Sequence, residues 1–239
     1  MFLQNQNLFF NHYKMHSTKT SKLEKFYDFL RLNKRFHKIQ DDEINYEGSL
    51  IISPVEAKLV ARGKIKETGK IISKFGKEIF LNEVLGDSVR RFENGFYLNF
   101  YLSSRDKHYW RVPYNGKFVS TRVNNGEAKI PVFIGLEKIL RKRDFFEKAI
   151  RKNASIGSVL QTRYFPIAMI AVGSLNVNSI HVLYKENKEY KKGEVCGYFS
   201  LGSSMLLCFP DSSLETLIKV GNKVNIGEGI VKITSFNNQ

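Results

Sequence analysis

Residues 197–209 constrain the fold more than any other stretch of this chain. They read Gly-Tyr-Phe-Ser-Leu-Gly-Ser-Ser-Met-Leu-Leu-Cys-Phe, so that two apolar, strand-like runs flank a Leu-Gly-Ser-Ser tetrapeptide. Gly202 permits backbone angles that other residues resist, which predicts a bend or bulge between two strands. The hydroxyl of Ser203 lies one residue from the Gly202 carbonyl, and in a strained turn it is close enough to attack that carbonyl. The stretch therefore predicts either an ordinary bend or a peptide bond that the chain itself can break.

The charge of the chain restricts the class of partner. The net charge is +15 in 239 residues, while the hydrophobic content of 42% is that of an ordinary globular protein. Such a basic surface favours nucleic acid, anionic lipid headgroups or acidic partners, and charge alone does not choose among them. The only cysteines are Cys196 and Cys208, which fit a reducing compartment and have no metal-ligand spacing. We expect neither a membrane-spanning helix nor a secretory signal, because no long unbroken apolar run is present.

The N-terminal part of the sequence contains one clear helical pattern, at residues 21–38. Ser21 is a plausible N-cap with Glu24 at capping-box spacing, and apolar residues then recur at helical intervals among lysines and arginines. Two interpretations remain open at this point. The helix packs on the domain core, or it lies as a basic amphipathic helix on an anionic membrane surface.

From residue 46 onward the pattern changes to short strands broken by Gly, Pro and Asn. We predict strands at 96–102 and 167–172, a helical turn at 79–86 and a basic helix within 134–152. Closely spaced glycine turns in the C-terminal part are typical of a compact barrel-like sandwich. The predicted fold is therefore α+β, a β-rich single domain with barrel-sandwich strands and a few peripheral helices. It has an N-terminal helical segment at 1–45 and the domain proper at 46–239.

Several segments, in this order along the chain, resemble the phosphatidylserine decarboxylase family over roughly residues 46–232. The resemblance is carried by Ser53-Pro54-Val55-Glu56-Ala57, by Lys74-Phe75-Gly76 with Val84-Leu85-Gly86, by Leu102 to Gly116, by Val172 to Ile180, and by 197–207. Segments that match in order over most of the chain are more specific than any one motif.

The resemblance implies a pyruvoyl-dependent carboxy-lyase that matures by self-cleavage. In the family the chain breaks between the glycine and the serine, here Gly202 and Ser203, and the serine becomes the pyruvoyl group. No metal or added cofactor is then required. The pyruvoyl carbonyls accept the electrons of the departing carboxylate, so that phosphatidylserine becomes phosphatidylethanolamine and carbon dioxide. The implied setting is peripheral, at the cytoplasmic face of an anionic membrane, with a phospholipid substrate and no nucleic acid. A homodimer is compatible with it.

The family's catalytic positions are only partly kept in this sequence. The resemblance implies an Asp–His pair that activates the serine, but Glu56 stands at the Asp position and Arg111 at the position of the triad His. A guanidinium keeps its proton, so Arg111 cannot be a general base; its alternative use is as an anchor for a phosphate or carboxylate. We expect Glu56 and Arg111 to form an ion pair close to Ser203. We predict that self-cleavage is absent or much slower than is usual for the family.

Two further questions stay open on the sequence. His108, the first His of the family's His-x-x-His pair, is either a buried structural histidine or the acid that returns a proton to the α-carbon after decarboxylation. The chain as a whole is either a working decarboxylase or an uncleaved, non-catalytic homologue that binds anionic lipid or a partner. A nucleic-acid-binding module would use the same positive charge, but the aromatic residues follow strand alternation and form no stacking motif.

Overall fold

The computed structural model describes residues 16–18, 40–73, 76–126, 130, 145–174, 179–199, 203–210 and 214–234. Within these ranges the helices are α1 (Asn82–Leu85), a 3₁₀ helix (Gly86–Phe92) and α2 (Phe145–Lys152). The strands are β1 (His16–Ser17), β2 (Leu50–Ile52), β3 (Ala57–Lys64), β4 (Lys70–Ile72), β5 (Glu78–Phe80), β6 (Phe96–Leu102), β7 (Tyr109–Arg111), β8 (Gly116–Asn124), β9 (Ser155–Gln161), β10 (Pro166–Gly173), β11 (Ile180–Val182), β12 (Glu189–Tyr190), β13 (Val195–Phe199), β14 (Ser203–Phe209), β15 (Leu214–Thr216), β16 (Lys223–Val224) and β17 (Gly229–Ile233).

An eight-stranded antiparallel sheet forms the centre of the molecule. Its strand order is β12-β8-β9-β10-β14-β6-β3-β16. The central strands β10 and β14 are apolar at nearly every position because both faces of the sheet are buried. Successive residues of β14 accordingly point to opposite faces: Met205 and Leu207 join one apolar cluster, and Leu206 and Cys208 join the other.

The two faces of this sheet are covered by different structures. On one face the core includes residues of two smaller sheets, one ordered β1-β11-β13-β7 and the other β15-β17-β2. On the other face the β4–β5 hairpin, α1, the 3₁₀ helix and α2 supply the covering apolar side chains. The result is a β-rich α+β fold with a few peripheral helices, which confirms the fold class expected from the sequence. None of the helices in the described ranges is long and apolar enough to cross a bilayer.

The predictions for individual elements have different outcomes. The strands predicted at 96–102 and 167–172 are confirmed as β6 and β10. The helical turn predicted at 79–86 begins later, because residues 79 and 80 belong to β5 and α1 starts at Asn82. Of the basic helix predicted within 134–152, α2 is the described part. The helix predicted at 21–38 lies outside the described residues, and the domain boundary at residue 45 stays a prediction.

Candidate active site

Ser203 is the first residue of β14, where the chain has passed from one sheet into another. β13 ends at Phe199 in the four-stranded sheet, and β14 begins in the eight-stranded sheet, where Ser203 pairs with Leu102 of β6 and Gly173 of β10. Its side chain is fully buried, and its Oγ has no hydrogen-bond partner among the described residues. A buried polar group left without a partner costs about 1–3 kcal/mol, so such a group in a native chain calls for an explanation, and a catalytic role is one of them.

The strand register brings the Ser-Pro-Val-Glu segment to the same end of the large sheet. Lys58 of β3 pairs with Tyr101 of β6, one position away from the Leu102 that pairs with Ser203, and Glu56 directly precedes β3. Only β6 separates β3 from β14, so these backbones lie two strand spacings apart, about 10 Å. That the side chains of Glu56 and Arg111 meet the Ser203 hydroxyl in one site stays a prediction.

The carboxylate of Glu56 binds a lysine that the sequence analysis did not single out. Lys223 Nζ lies 2.9 Å from Glu56 Oε1 and 3.0 Å from Asp106 Oδ1. Lys223 belongs to β16, which pairs with β3 at the edge of the sheet. The hydrogen bonds to Glu56 and Asp106 raise the pKa of the Lys223 ammonium, which therefore stays charged. One cation thus bridges the carboxylates of two separate family motifs.

Arg111 is held by a different carboxylate, that of Asp42. Its Nε donates to Asp42 Oδ2 at 2.7 Å, Nη1 donates to the Gly193 carbonyl at 2.7 Å, and Nη2 donates to the Gln40 carbonyl at 2.8 Å. The expected ion pair between Glu56 and Arg111 is therefore wrong. The guanidinium is already occupied by Asp42 and two carbonyls, which match its fixed fork of donors. The carboxylate that Arg111 binds belongs to the chain itself, and a use of Arg111 as an anchor for a bound phosphate or carboxylate stays a prediction.

Asp42 is the centre of a partly buried polar cluster. Besides Arg111, Lys107 donates to Asp42 Oδ1 and the Tyr109 hydroxyl donates to Asp42 Oδ2 at 2.8 Å. Burial acts to raise the pKa of Asp42, but the hydrogen bonds from Lys107, Tyr109 and Arg111 outweigh it and bring the pKa below its ordinary value. Burial also raises the pKa of the Tyr109 hydroxyl, which stays protonated and serves as a donor. The cluster fastens the segment around Asp42 to β7.

His108 lies fully buried in the loop that joins β6 to β7. Its carbonyl accepts a hydrogen bond from the Phe199 N–H at 2.7 Å, which ties this loop to the strand that leads into the Gly202–Ser203 segment. Burial lowers the pKa of the imidazole, opposed by a hydrogen bond with the Asp106 backbone and by the charges of Asp106 and Glu56. The imidazole is therefore neutral at pH 7 and able to accept a proton.

A cleft of about 560 Å³ opens beside these groups. Its walls are residues 41–45 and 225–229, together with Glu56 and Lys107. The Asn45 N–H donates to the Gly227 carbonyl at 3.1 Å and joins the two walls. The cleft gives the carboxylate of Glu56 a route to solvent although the chain around it is packed.

Sequence reasoning missed several residues of this arrangement or gave them no role, among them Asp42, Asp106 and Lys223. Asp42 belongs to the acidic run Asp41-Asp42-Glu43, which is unusual in so basic a chain and is a signal that could have been followed. Asp106 lies within the Leu102–Gly116 segment of the resemblance and was not considered as a charged group of the site. Lys223 has no local signal, because its role depends entirely on which distant segments meet.

The cysteines do not contribute to this site. Cys196 and Cys208 are free and fully buried, and burial raises the pKa of both thiols, which keeps them in the unreactive protonated form. Across the ranges that the structure describes, no group of three or more His, Cys, Asp or Glu side chains is placed to hold a metal ion.

Comparison with known proteins agrees with the ordered motifs. The family model described as phosphatidylserine decarboxylase matches residues 24–232, which extends the resemblance towards the N-terminus beyond residue 46. Proteins named phosphatidylserine decarboxylase proenzyme from Bacillus cereus (strain ATCC 10987) and Bacillus anthracis (strain CDC 684) are each 30% identical over 192 residues, which is 78% of this chain and 70% of theirs. The chain belongs to the phosphatidylserine decarboxylase family.

Proposed function

We propose that this protein decarboxylates phosphatidylserine to phosphatidylethanolamine, using a pyruvoyl group made from its own Ser203. The observation that carries the proposal is the buried Ser203 hydroxyl, which stands at the first position of β14 in the family's cleavage motif and has no hydrogen-bond partner within the described part of the chain. Serines at such a depth are usually hydrogen-bonded; among the described residues Ser155 shares the buried, unpartnered state of Ser203 but lies outside the cleavage motif. The names of the relatives further support the proposal, because both are called phosphatidylserine decarboxylase proenzyme.

The residues present fit the formation of a pyruvoyl group at position 203. Ser203 is followed by a continuous buried strand, so the group would sit at the start of a fixed element with a dry apolar core behind it. When formed, a pyruvoyl group supplies an electron sink for the carboxylate that leaves the substrate. The chain's own residues must then orient the substrate amine and manage protons.

The proposed self-cleavage balances with one water molecule. Ser203 Oγ loses its proton and attacks the Gly202 carbonyl carbon; the C–N bond then breaks and an ester joins the two parts of the chain. Loss of the Ser203 α-proton breaks the Cβ–O bond, which releases a carboxylate at Gly202 and leaves a dehydroalanine amine at position 203. Water replaces this amine, so that ammonia departs and an α-keto group remains.

We propose that His108 handles the protons in both stages. Arg111 cannot accept a proton, and the Glu56 carboxylate is occupied by Lys223. His108 is neutral because burial lowers its pKa, so it can take the Ser203 proton during self-cleavage. An imidazole with a lowered pKa also gives up a proton readily once it has one, which suits delivery to the α-carbon after carbon dioxide leaves.

The proposed place of action is the cytoplasmic face of an anionic membrane, to which the protein binds peripherally. The support is the net charge of +15, which favours anionic headgroups. The lipid substrate itself lies in such a surface.

A second candidate function is that of an uncleaved, non-catalytic homologue that binds anionic lipid. One specific observation favours it: the position of the family's base carries an arginine that is committed to Asp42 and two backbone carbonyls. In this alternative the Ser203 hydroxyl is never activated.

An assay with lipid vesicles separates the two candidates. The purified wild-type protein, Ser203→Ala and His108→Gln are each incubated with vesicles that contain phosphatidylserine, and phosphatidylethanolamine and carbon dioxide are measured. We expect product from the wild type, none from Ser203→Ala, and a rate reduced ~10²–10⁴-fold for His108→Gln, the usual contribution of a positioned acid or base. His181→Gln is the matched control, since His181 is buried elsewhere against Ser17 and Tyr198. A wild type that binds the vesicles and forms no product would support the second candidate.

A further inference from the structure

We infer that Lys223 is a positioning residue of the self-cleavage site, which holds the carboxylates of Glu56 and Asp106 together beside His108. The inference deepens the proposed function and rests on it in one respect, that His108 accepts the Ser203 proton. It assigns a role to a residue outside every segment on which the family resemblance was based.

The geometry joins three separate parts of the chain. Glu56 precedes β3, Asp106 lies in the loop after β6, and Lys223 stands on β16 at the sheet edge, opposite Lys58 of β3. Lys223 Nζ bonds to Glu56 at 2.9 Å and to Asp106 at 3.0 Å. The two carboxylate side chains are only 17% and 7% exposed, whereas the lysine side chain is 58% exposed. The exposed Lys223 side chain therefore brings its ammonium to two carboxylates that are themselves largely buried.

This bridge also fixes the loop that carries His108. The second oxygen of Asp106, Oδ2, accepts a hydrogen bond from the Ser103 N–H at 2.7 Å, and the Asp106 N–H donates to the Ser103 carbonyl at 3.1 Å. Asp106 thus closes a tight turn two residues before His108, and Lys223 attaches that turn to the edge of the sheet. Loss of the lysine frees Asp106 Oδ1 and removes the attachment of this turn to the sheet edge.

The charge of Lys223 has a second consequence. The charged groups that act on the His108 imidazole are Asp106 from its own loop and Glu56 from the segment before β3, and both favour the protonated ring. Lys223 offsets one of these two negative charges while it holds both carboxylates. Without it, both anions act uncompensated on His108, and the ring takes up a proton at higher pH. A protonated imidazole cannot accept the proton of Ser203.

The decisive measurement is the titration of His108 by nuclear magnetic resonance in the Ser203→Ala protein, which cannot cleave. Lys223→Met is added to this background and should raise the pKa of His108. Lys223→Arg keeps the charge and the reach, so it should leave that pKa close to the starting value. Lys219→Met is the matched control, because Lys219 is an exposed lysine in the same part of the chain. An unchanged His108 titration in the Lys223→Met protein would overturn the inference.

A kinetic measurement connects the titration to function. In the chain with Ser203 present, Lys223→Met should slow the appearance of the fragments split at 202/203 by up to ~10²-fold at pH 7, the lower end of what a positioned base contributes. The acid limb of its pH–rate profile should move to higher pH, and Lys223→Arg should restore both. A His108 titration that moves while the wild type never cleaves would support the role of Lys223 and contradict the proposed function. If the pKa of His108 is unchanged and the wild type cleaves, the result contradicts the role of Lys223 and supports the proposed function.

Discussion

Arg111 stands where the resemblance implies the family's histidine base, and its surroundings explain what it does. The guanidinium replaces a general base with a permanent cation, and it bonds to Asp42 in a cluster completed by Lys107 and Tyr109. Asp42 has a side chain that is only 3% exposed, so its charge needs such partners. Arg111 therefore stabilises a buried carboxylate at the position to which the resemblance assigns the base.

Exchanging Arg111 for the family histidine should have opposite effects on chemistry and on stability. We predict that Arg111→His speeds self-cleavage, because it restores an imidazole at the position that the resemblance gives to the family's base. Arg111→His should also lower the free energy of unfolding by about 2–3 kcal/mol, less than for a pair left wholly uncompensated, since Lys107 and Tyr109 still bind Asp42. Arg105→His, at an exposed arginine of the neighbouring loop, is the control for both measurements.

The Asp42 cluster makes a further prediction about acid stability. The pKa of Asp42 is lower in the folded chain than its ordinary value of 3.8. Its ionised form therefore stabilises the fold above that value, and this contribution is lost as the pH falls through the folded pKa. We expect the free energy of unfolding to fall more steeply between about pH 5 and pH 2 in the wild type than in Asp42→Asn. Parallel curves of the free energy of unfolding against pH for the two proteins would show that Asp42 contributes nothing. Asp41→Asn is the control, because Asp41 is exposed, and its curve should follow that of the wild type.

At the scale of elements, β13 and β14 precede and follow the Gly202–Ser203 bond in the chain, and each is fixed in a different sheet. β13 is kept in its sheet by pairing with β7, where Trp110 packs across Gly197 and contacts Phe199 with ring centroids 4.6 Å apart. A Cβ on Gly197 would lie 2.1 Å from Trp110 Cζ2, which no side-chain adjustment of a buried tryptophan relieves easily. Gly197 is therefore required by its close packing against Trp110.

Gly197→Ala should destabilise the protein through this contact. Overpacking of a filled core costs roughly 1–3 kcal/mol, and a buried indole leaves little room for relaxation, so we expect the upper part of that range. Thermal unfolding of Gly197→Ala and Gly48→Ala provides the comparison, because a Cβ on Gly48 meets nothing within 4 Å. Equal midpoints for the two variants would contradict the packing explanation.

Local patterns determined which elements of this fold could be predicted. β6, β10 and the runs that became β13 and β14 were foreseen because their alternation or continuous apolar character is contained in the segment itself. That β13 and β14 belong to different sheets was not foreseen, since pairing partners come from distant parts of the chain.

The same limit applies to the ion pairs of the site. Lys223 and Glu56 are 167 residues apart, and Asp42 and Arg111 are 69 apart. The sequence located Ser203, His108, Glu56 and Arg111 through ordered motifs, but motif spacing says nothing about which outside residue neutralises each charge. Arg111 therefore binds Asp42 and not the expected Glu56. The contacts of Lys223 with Glu56 and Asp106 were not expected at all.

At the scale of the whole molecule, the net charge of +15 should govern attachment to membranes. We predict binding to anionic vesicles that weakens as salt rises, because the Debye length falls from about 10 Å at 0.1 M to about 3 Å at 1 M. Deletion of residues 1–38 should reduce this binding. Co-sedimentation with anionic and neutral vesicles over a salt series is the measurement. Equal binding to both vesicle types, independent of salt, would argue against an electrostatic surface.

The intact mass of the purified protein, followed over time, tests the central claim most directly. Freshly purified wild type should be predominantly a single species of 27.6 kDa, since the usual base is missing. On incubation it should convert slowly into two fragments split between residues 202 and 203, the smaller one blocked at its N-terminus by a pyruvoyl group, while Ser203→Ala stays intact. Wild type that never cleaves, or that breaks elsewhere, would contradict the role of Ser203. Complete cleavage in the first spectrum would contradict the interpretation of Arg111.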